Sequence, residues 1–121
     1  MTDHTPAAVV QRQLDAYDRR DIDALLAVYA DDARQFEFPV TLAASGSAHI
    51  RARMRARFQE PHLHARLVQR AVMGNVVIDQ EVVTRTFAEG GGTVDVVAIY
   101  EGIDGRIASA TVQVSNKCLP G

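Results

Sequence analysis

The sequence has 121 residues, a formal net charge of −2 and a single cysteine, Cys118. This length predicts one domain, residues 1–121, with a buried core. The small net charge argues against nucleic acid as a partner, and one cysteine excludes an intrachain disulfide or a cysteine-based metal site. Without a run of about eighteen apolar residues or a signal-peptide pattern, we expect no membrane partner and a cytoplasmic location.

The first part of the chain has a helical pattern. One helix is predicted from Thr5 to Arg19, where apolar residues recur at helical spacing. A second helix is predicted for IDALLAVYA, residues 22–30, with Asp21 as its N-cap. The string RQFEF then predicts a short strand that stops at Pro39.

A third helix is predicted in ASGSAHIRARMRARFQE, residues 44–60. Ile50, Met54 and Phe58 recur there at every fourth position and define its apolar stripe. The four arginines of RARMRAR lie away from that stripe, which indicates either a solvated face or, alternatively, a surface that recognises an anion or an acidic partner.

After Pro61 the pattern changes to alternation of period two. Four β-rich segments follow, separated by turns predicted at Gly74-Asn75, at the glycines 90–92 and at Asp104-Gly105. Helices followed by a β meander predict an α+β fold, with the helices packed on one face of a curved antiparallel sheet.

Three strings resemble the nuclear transport factor 2-like superfamily, and more narrowly its branch of ketosteroid isomerases and SnoaL-like polyketide cyclases. They are VVQRQLDAYDRRDIDALLAVYADDA, SGSAHIRARMRARF and VVAIYEGIDGRI. The resemblance implies a cystatin-like cone, in which a curved antiparallel sheet wraps a pocket capped by about three N-terminal helices. It also implies a homodimer formed through the sheet.

For function, the resemblance implies proton transfer on a small apolar carbonyl compound or epoxide bound in the pocket, with no metal or cofactor. The alternative on the same scaffold is a non-catalytic module for ligand binding or dimerisation.

The resemblance transfers the catalytic residues of ketosteroid isomerases only in part. The family's catalytic carboxylate falls on Glu37 when counted without a gap, or on Phe38 when the proline is aligned. The oxyanion tyrosine falls on Gln13, and the second oxyanion donor falls near Val97 or Ala98, where no acid is present.

Two local patterns bear on catalysis. Glu37 either lies on the wet face of its strand, with the flanking phenylalanines in the core, or lies in the pocket as a general base. Gln13 and Tyr17 are four residues apart on one helix face, so both could donate hydrogen bonds to a bound carbonyl. Alternatively, Tyr17 is a core residue whose hydroxyl reaches the rim of the pocket.

Asp79, Glu81 and Arg85 share one face of a strand and form either a polar cluster in the pocket or an outer salt-bridge ladder. His64 shares a strand face with His62, either at the pocket rim or on the surface. The residues expected to contact a substrate are Phe36, Phe38, Phe58, Asp79, Glu81, Arg85 and His64.

Overall fold

A computed structural model describes residues 3–120 of the chain. In chain order its elements are α1 (Pro6–Arg19), α2 (Ile22–Ala27), β1 (Tyr29–Glu37), β2 (Thr41–Ser45), α3 (Ser47–Arg57), β3 (His64–Met73), β4 (Val76–Phe87), β5 (Gly90–Ile103) and β6 (Arg106–Cys118). The predicted α+β class, with helices against a curved sheet, is confirmed.

The first two helices begin at side-chain caps, and the cap of α2 is the predicted Asp21. Thr5 accepts a hydrogen bond from the backbone N–H of Ala8, and Asp21 accepts one from Ala24. The predicted second helix was too long, because the backbone turns into the sheet after α2. The carbonyl of Val28 accepts a hydrogen bond from Ile107 of β6, so the next residue, Tyr29, already belongs to β1.

The strands lie in the order β2-β1-β6-β5-β4-β3. Strands β3 to β6 form the predicted antiparallel meander, and β2 pairs antiparallel with β1. The expectation of a wholly antiparallel sheet is corrected at one seam, where β1 and β6 run parallel. Strand β2 was not expected from the sequence.

The predicted turn at the glycines 90–92 is also corrected. These residues open β5, and the turn lies at residues 88–89. Gly92 passes so close to β6 that an added Cβ would lie 2.5 Å from the carbonyl oxygen of Cys118. The glycine therefore permits close approach of two strands rather than a reversal of the chain.

The core lies between the helices and the inner face of the sheet, around Val10, Leu25 and Ile107. On the outer face, Ile78 and Val97 remain exposed. The homodimer implied by the resemblance would bury such side chains, and it stays a prediction. Within residues 3–120, no helix is long and apolar enough to span a membrane.

Candidate functional site

A cavity of about 480 Å³ lies between helices α1 and α3 and the inner face of the sheet. This volume falls within the range of sites that bind small molecules. Polar side chains from α1, α3, β1 and β4 line one part of the wall. Strands β5 and β6 contribute mainly small apolar side chains, such as Val94, Val96 and Val112. The wall of the cavity therefore combines apolar and polar side chains.

Glu81 is a buried carboxyl group in the cavity wall. Alternation along β4 turns Val77, Asp79, Glu81 and Val83 inward, and all four are buried. Burial raises the pKa of Glu81 to about 7, with Asp79 and Asp18 acting in the same direction and Arg70 against it. Among the described residues, no side-chain hydrogen bond or ion pair engages its carboxyl group. Glu81 can thus exchange a proton at neutral pH.

Asp79 lies two residues before Glu81 but belongs to a different arrangement. Its side chain is fully buried and forms a two-pronged ion pair with Arg70 of β3, with N–O distances of 2.7 and 2.9 Å. Arg70 also donates to Gln11 of α1 at 2.9 Å. Asp79 is not among the cavity-lining residues, so it fastens α1 to the sheet rather than contacting a ligand.

Arg85 holds a carboxylate, as one reading of the sequence predicts, but the carboxylate belongs to Glu60. Nε and Nη2 of Arg85 each lie 2.8 Å from a different oxygen of Glu60, which also accepts a bond from the backbone N–H of Thr86. Arg70 is paired with Asp79 in the same two-pronged way. Neither Arg70 nor Arg85 therefore forms an ion pair with Glu81. Arg85 still lines the cavity.

Two hydrogen-bonded groups of side chains supply further polar atoms to the cavity. Tyr100 Oη donates to Gln13 Oε1 at 3.2 Å, which leaves the amide N–H groups of Gln13 out of that bond. In the second group, Arg53 donates to Gln35 at 2.8 Å, and Gln35 donates to Tyr29 Oη at 3.5 Å. Burial raises the pKa of Tyr29 to about 12 and that of Tyr100 well above its ordinary value, so both phenols stay protonated at neutral pH.

The arginines of α3 divide between cavity and solvent. Arg53 and Arg57, four residues apart, line the cavity and are half-buried, whereas Arg55 is exposed. The expectation that all four arginines form a solvated face is therefore corrected for these two. The helical spacing that predicts a shared face for Gln13 and Tyr17 applies equally to Arg53 and Arg57, and it could have identified them.

The end of β1 does not follow simple alternation. A register irregularity lies between Gln35 and Phe36, and beyond it both Glu37 and Phe38 line the cavity. Glu37 and Phe38 are nevertheless exposed, which places them at the rim. Phe36 is half-buried, does not line the cavity, and lies against the guanidinium of Arg34 at 5.6 Å. Glu37 thus reaches the cavity without the burial that Glu81 has.

The other residues predicted for the site are one glutamine and two aromatic residues, and they lie on its helical side. Gln13 and Tyr17 both line the cavity from α1, and Gln13 is buried. The ring of Tyr17 meets that of Phe58 edge-on, with ring centroids 5.6 Å apart. Phe58 is not a lining residue and instead packs behind Tyr17. Burial raises the pKa of the Tyr17 phenol, while Arg57 and Arg85 oppose this change.

His64 lies outside the cavity. Its ring is largely exposed, with Nδ1 3.5 Å from a carboxylate oxygen of Asp18, and the other oxygen of Asp18 accepts from the backbone of Ala65. In the part of the chain that the structure describes, no group of three His, Cys, Asp or Glu side chains is placed to hold a metal ion.

Solved structures with the same fold come from several bacteria. An uncharacterised cystatin-fold protein from Novosphingobium aromaticivorans matches with a TM-score of 0.84 and 22% identity, covering 89% of this chain and 97% of that chain. A putative polyketide cyclase from Sinorhizobium meliloti matches with a TM-score of 0.73 and 24% identity, covering 87% and 93%. A putative ketosteroid isomerase from Kribbella flavida matches with a TM-score of 0.77 and 15% identity, covering 96% and 82%.

At these identities the structural matches establish the fold alone. No curated protein matches the sequence. A family model described as a SnoaL-like domain matches residues 10–110, which is most of the chain. The resemblance read from the sequence is confirmed, and the chain belongs to the SnoaL-like domain family.

Proposed function

We propose that this SnoaL-like protein is an acid–base enzyme that transfers a proton on a small, largely apolar carbonyl compound or epoxide, with Glu81 as the base. The observation that carries this proposal is the buried Glu81 carboxyl in the cavity wall, with its pKa raised by burial to about 7. At neutral pH such a group is close to half ionised, which combines strong basicity with an adequate population of carboxylate.

The polar groups around the cavity suit the charge that this reaction develops. Removing a proton next to a carbonyl group places negative charge on the carbonyl oxygen, which needs hydrogen-bond donors. The amide oxygen of Gln13 accepts from Tyr100, so its N–H groups take no part in that bond and can donate to a ligand. The hydroxyl of Tyr29 accepts from Gln35, and its own proton remains for a ligand. Tyr17 offers a third donor from the same side.

Glu37 is the competing candidate for the base, because the family resemblance aligns it with the catalytic carboxylate. It lines the cavity at its exposed rim, where water competes for its oxygens. A buried carboxylate is the stronger base in an apolar cavity, since it lacks the hydration that stabilises the ionised form. The proposal therefore assigns proton abstraction to Glu81 and leaves Glu37 at the entrance.

The test uses nitrobenzisoxazole, a flat aromatic probe. When a base removes the proton on its ring carbon, the N–O bond breaks and a coloured nitrophenolate forms. This reaction reports a base in a cavity without knowledge of the natural substrate. We expect the rate to rise with pH and level off above about pH 7, following ionisation of Glu81. Glu81→Gln should lower the rate by about 100-fold or more.

Glu37→Gln is the matched control, because it makes the same chemical change at the rim. If Glu37→Gln abolishes the reaction and Glu81→Gln does not, the base is Glu37. If the wild-type protein never exceeds the buffer rate, while small apolar ligands still bind, the protein is a non-catalytic binding module. Circular dichroism of each variant confirms that the fold is retained.

A further inference from the structure

Arg53 carries a positive charge into the cavity without a carboxylate in direct contact with it. Its side chain is half-buried, and Nη1 donates to the neutral amide oxygen of Gln35 at 2.8 Å. Arg53 forms no ion pair with any of residues 3–120. A guanidinium has five N–H donors, so most of the hydrogen-bonding capacity of Arg53 remains unused by protein side chains.

The surroundings of Arg53 add to the excess of positive charge. Arg57, one helical turn away, lies 3.7 Å from Glu60, but Glu60 is already held by Arg85 at 2.8 Å. One carboxylate thus serves two guanidinium groups. Burial and repulsion by Arg57 lower the pKa of Arg53, whereas the rim carboxylate Glu37 acts in the opposite direction. An anion placed between Arg53 and Arg57 would relieve this repulsion.

We propose that the cavity binds a small organic carboxylate, whose charged group pairs with Arg53 beside Arg57 and whose apolar part lies along the valines of β5 and β6. The planar guanidinium fork matches a carboxylate with two parallel hydrogen bonds. Val94, Val96 and Val112 supply the apolar surface. This inference rests on the proposed function and narrows its substrate class to apolar carbonyl or epoxide compounds that also carry a carboxylate.

The net charge favours a carboxylate over a phosphate monoester. The lining arginines Arg53, Arg57 and Arg85 carry three positive charges, and Glu60 and Glu37 offset two of them, so about one positive charge remains uncompensated. A carboxylate brings a single negative charge, whereas a phosphate monoester brings nearly two. The second charge would lie in the same cavity as the carboxyl groups of Glu37 and Glu81.

The test compares naphthalene carboxylate with naphthalene carboxamide, two ligands of the same shape that differ in charge. Isothermal titration calorimetry at low ionic strength measures both dissociation constants for the wild-type protein and its variants. We expect the carboxylate to bind more tightly than the amide. Arg53→Gln should weaken carboxylate binding by about 10- to 100-fold and leave amide binding nearly unchanged.

Arg55→Gln is the matched control, because it removes the same charge from an exposed position on the same helix. It should leave the dissociation constants of both ligands unchanged. Glu37→Gln should strengthen carboxylate binding, since it removes an anion that acts on Arg53. Unchanged amide binding by Arg53→Gln would exclude a general loss of structure as the explanation for its weaker carboxylate binding.

Three results would overturn the inference: equal binding of acid and amide, an undiminished preference for the acid in Arg53→Gln, or no binding of either ligand at millimolar concentration. Binding is measured without turnover, so its outcome is separate from that of the proton-transfer assay. A protein that prefers the carboxylate but does not open nitrobenzisoxazole would retain the carboxylate-binding site and lose the proposed function.

Discussion

Glu81 links the stability of the fold to pH, and Glu81→Gln isolates that link. The pKa of a glutamate carboxyl group is ordinarily 4.5, and burial raises that of Glu81 to about 7 in the folded protein. As the pH rises between these values, the unfolded chain releases its proton first, so the free energy of unfolding falls. Above about pH 7 the Glu81 carboxyl group is ionised in both the folded and the unfolded state, so the free energy of unfolding falls no further through this group.

The size of the effect follows from the shift in pKa. Each unit corresponds to about 1.4 kcal/mol, so the rise from 4.5 to about 7 corresponds to about 3 kcal/mol. A domain of this size has a total stability of roughly 5–15 kcal/mol, so the change is readily measurable. Glutamine has nearly the same shape and does not ionise, so the free energy of unfolding of Glu81→Gln should not show this decrease as the pH rises.

The assay is urea unfolding followed by circular dichroism, at steps from pH 4.5 to about 8. The stability of Glu81→Gln minus that of the wild type should rise by about 3 kcal/mol across this range. Glu89→Gln provides a flat control: a hydrogen bond from Lys117 lowers the pKa of Glu89, so this group changes stability mainly below pH 4.5 and its difference from the wild type should stay nearly constant across the range. A difference for Glu81→Gln that does not change with pH would refute the burial argument.

Three further substitutions test other contacts, each by chemical denaturation. Arg70→Gln should destabilise the fold by about 3–5 kcal/mol, because it leaves the fully buried Asp79 without its ion pair; a loss below about 1 kcal/mol would contradict this. Gly92→Ala should lower the stability by about 1–3 kcal/mol, since its Cβ would meet the β6 backbone. Gly91→Ala has open space around its Cβ and should lower the stability less, so equal losses of stability would contradict the argument from close approach. Tyr100→Phe should cost about 1–3 kcal/mol by leaving a buried amide oxygen unpaired, and an unchanged stability would show that the bond contributes little.

The fold was largely predictable because its signals are long and regular. Helical spacing from Pro6 to Arg19 and alternation along β4 extend over many residues, and each agrees with the elements around it. The errors occur where tertiary contacts override local pattern. Tyr29 continues an apolar helical run, yet hydrogen bonding with β6 draws it into a strand. Glycines 90–92 carry a turn signal, but they serve close strand packing.

The candidate site was predictable only in part, because its chemistry depends on pairing between distant residues. The sequence places Glu81 and Arg85 on one strand face but does not show that Glu60 occupies Arg85. That pairing, with the pairing of Asp79 to Arg70, is what leaves Glu81 without a counterion. Alternation also could not locate Glu37, because a register irregularity precedes it in β1. Whether a single carboxyl group is buried depends on the whole assembled sheet, so the sequence of one strand does not reveal it.

The parallel seam between β1 and β6 also bears on how fast the protein folds. Strands β3 to β6 pair with strands that follow directly in the sequence. The parallel seam instead brings together residues as far apart in the sequence as Tyr29 and Ile107. Closing so long a loop is entropically slow, so we expect the meander to form before the seam. The cavity wall is incomplete until the seam closes, because β1 contributes to it. A ligand of the cavity should therefore slow unfolding of the native protein and leave its folding rate nearly unchanged.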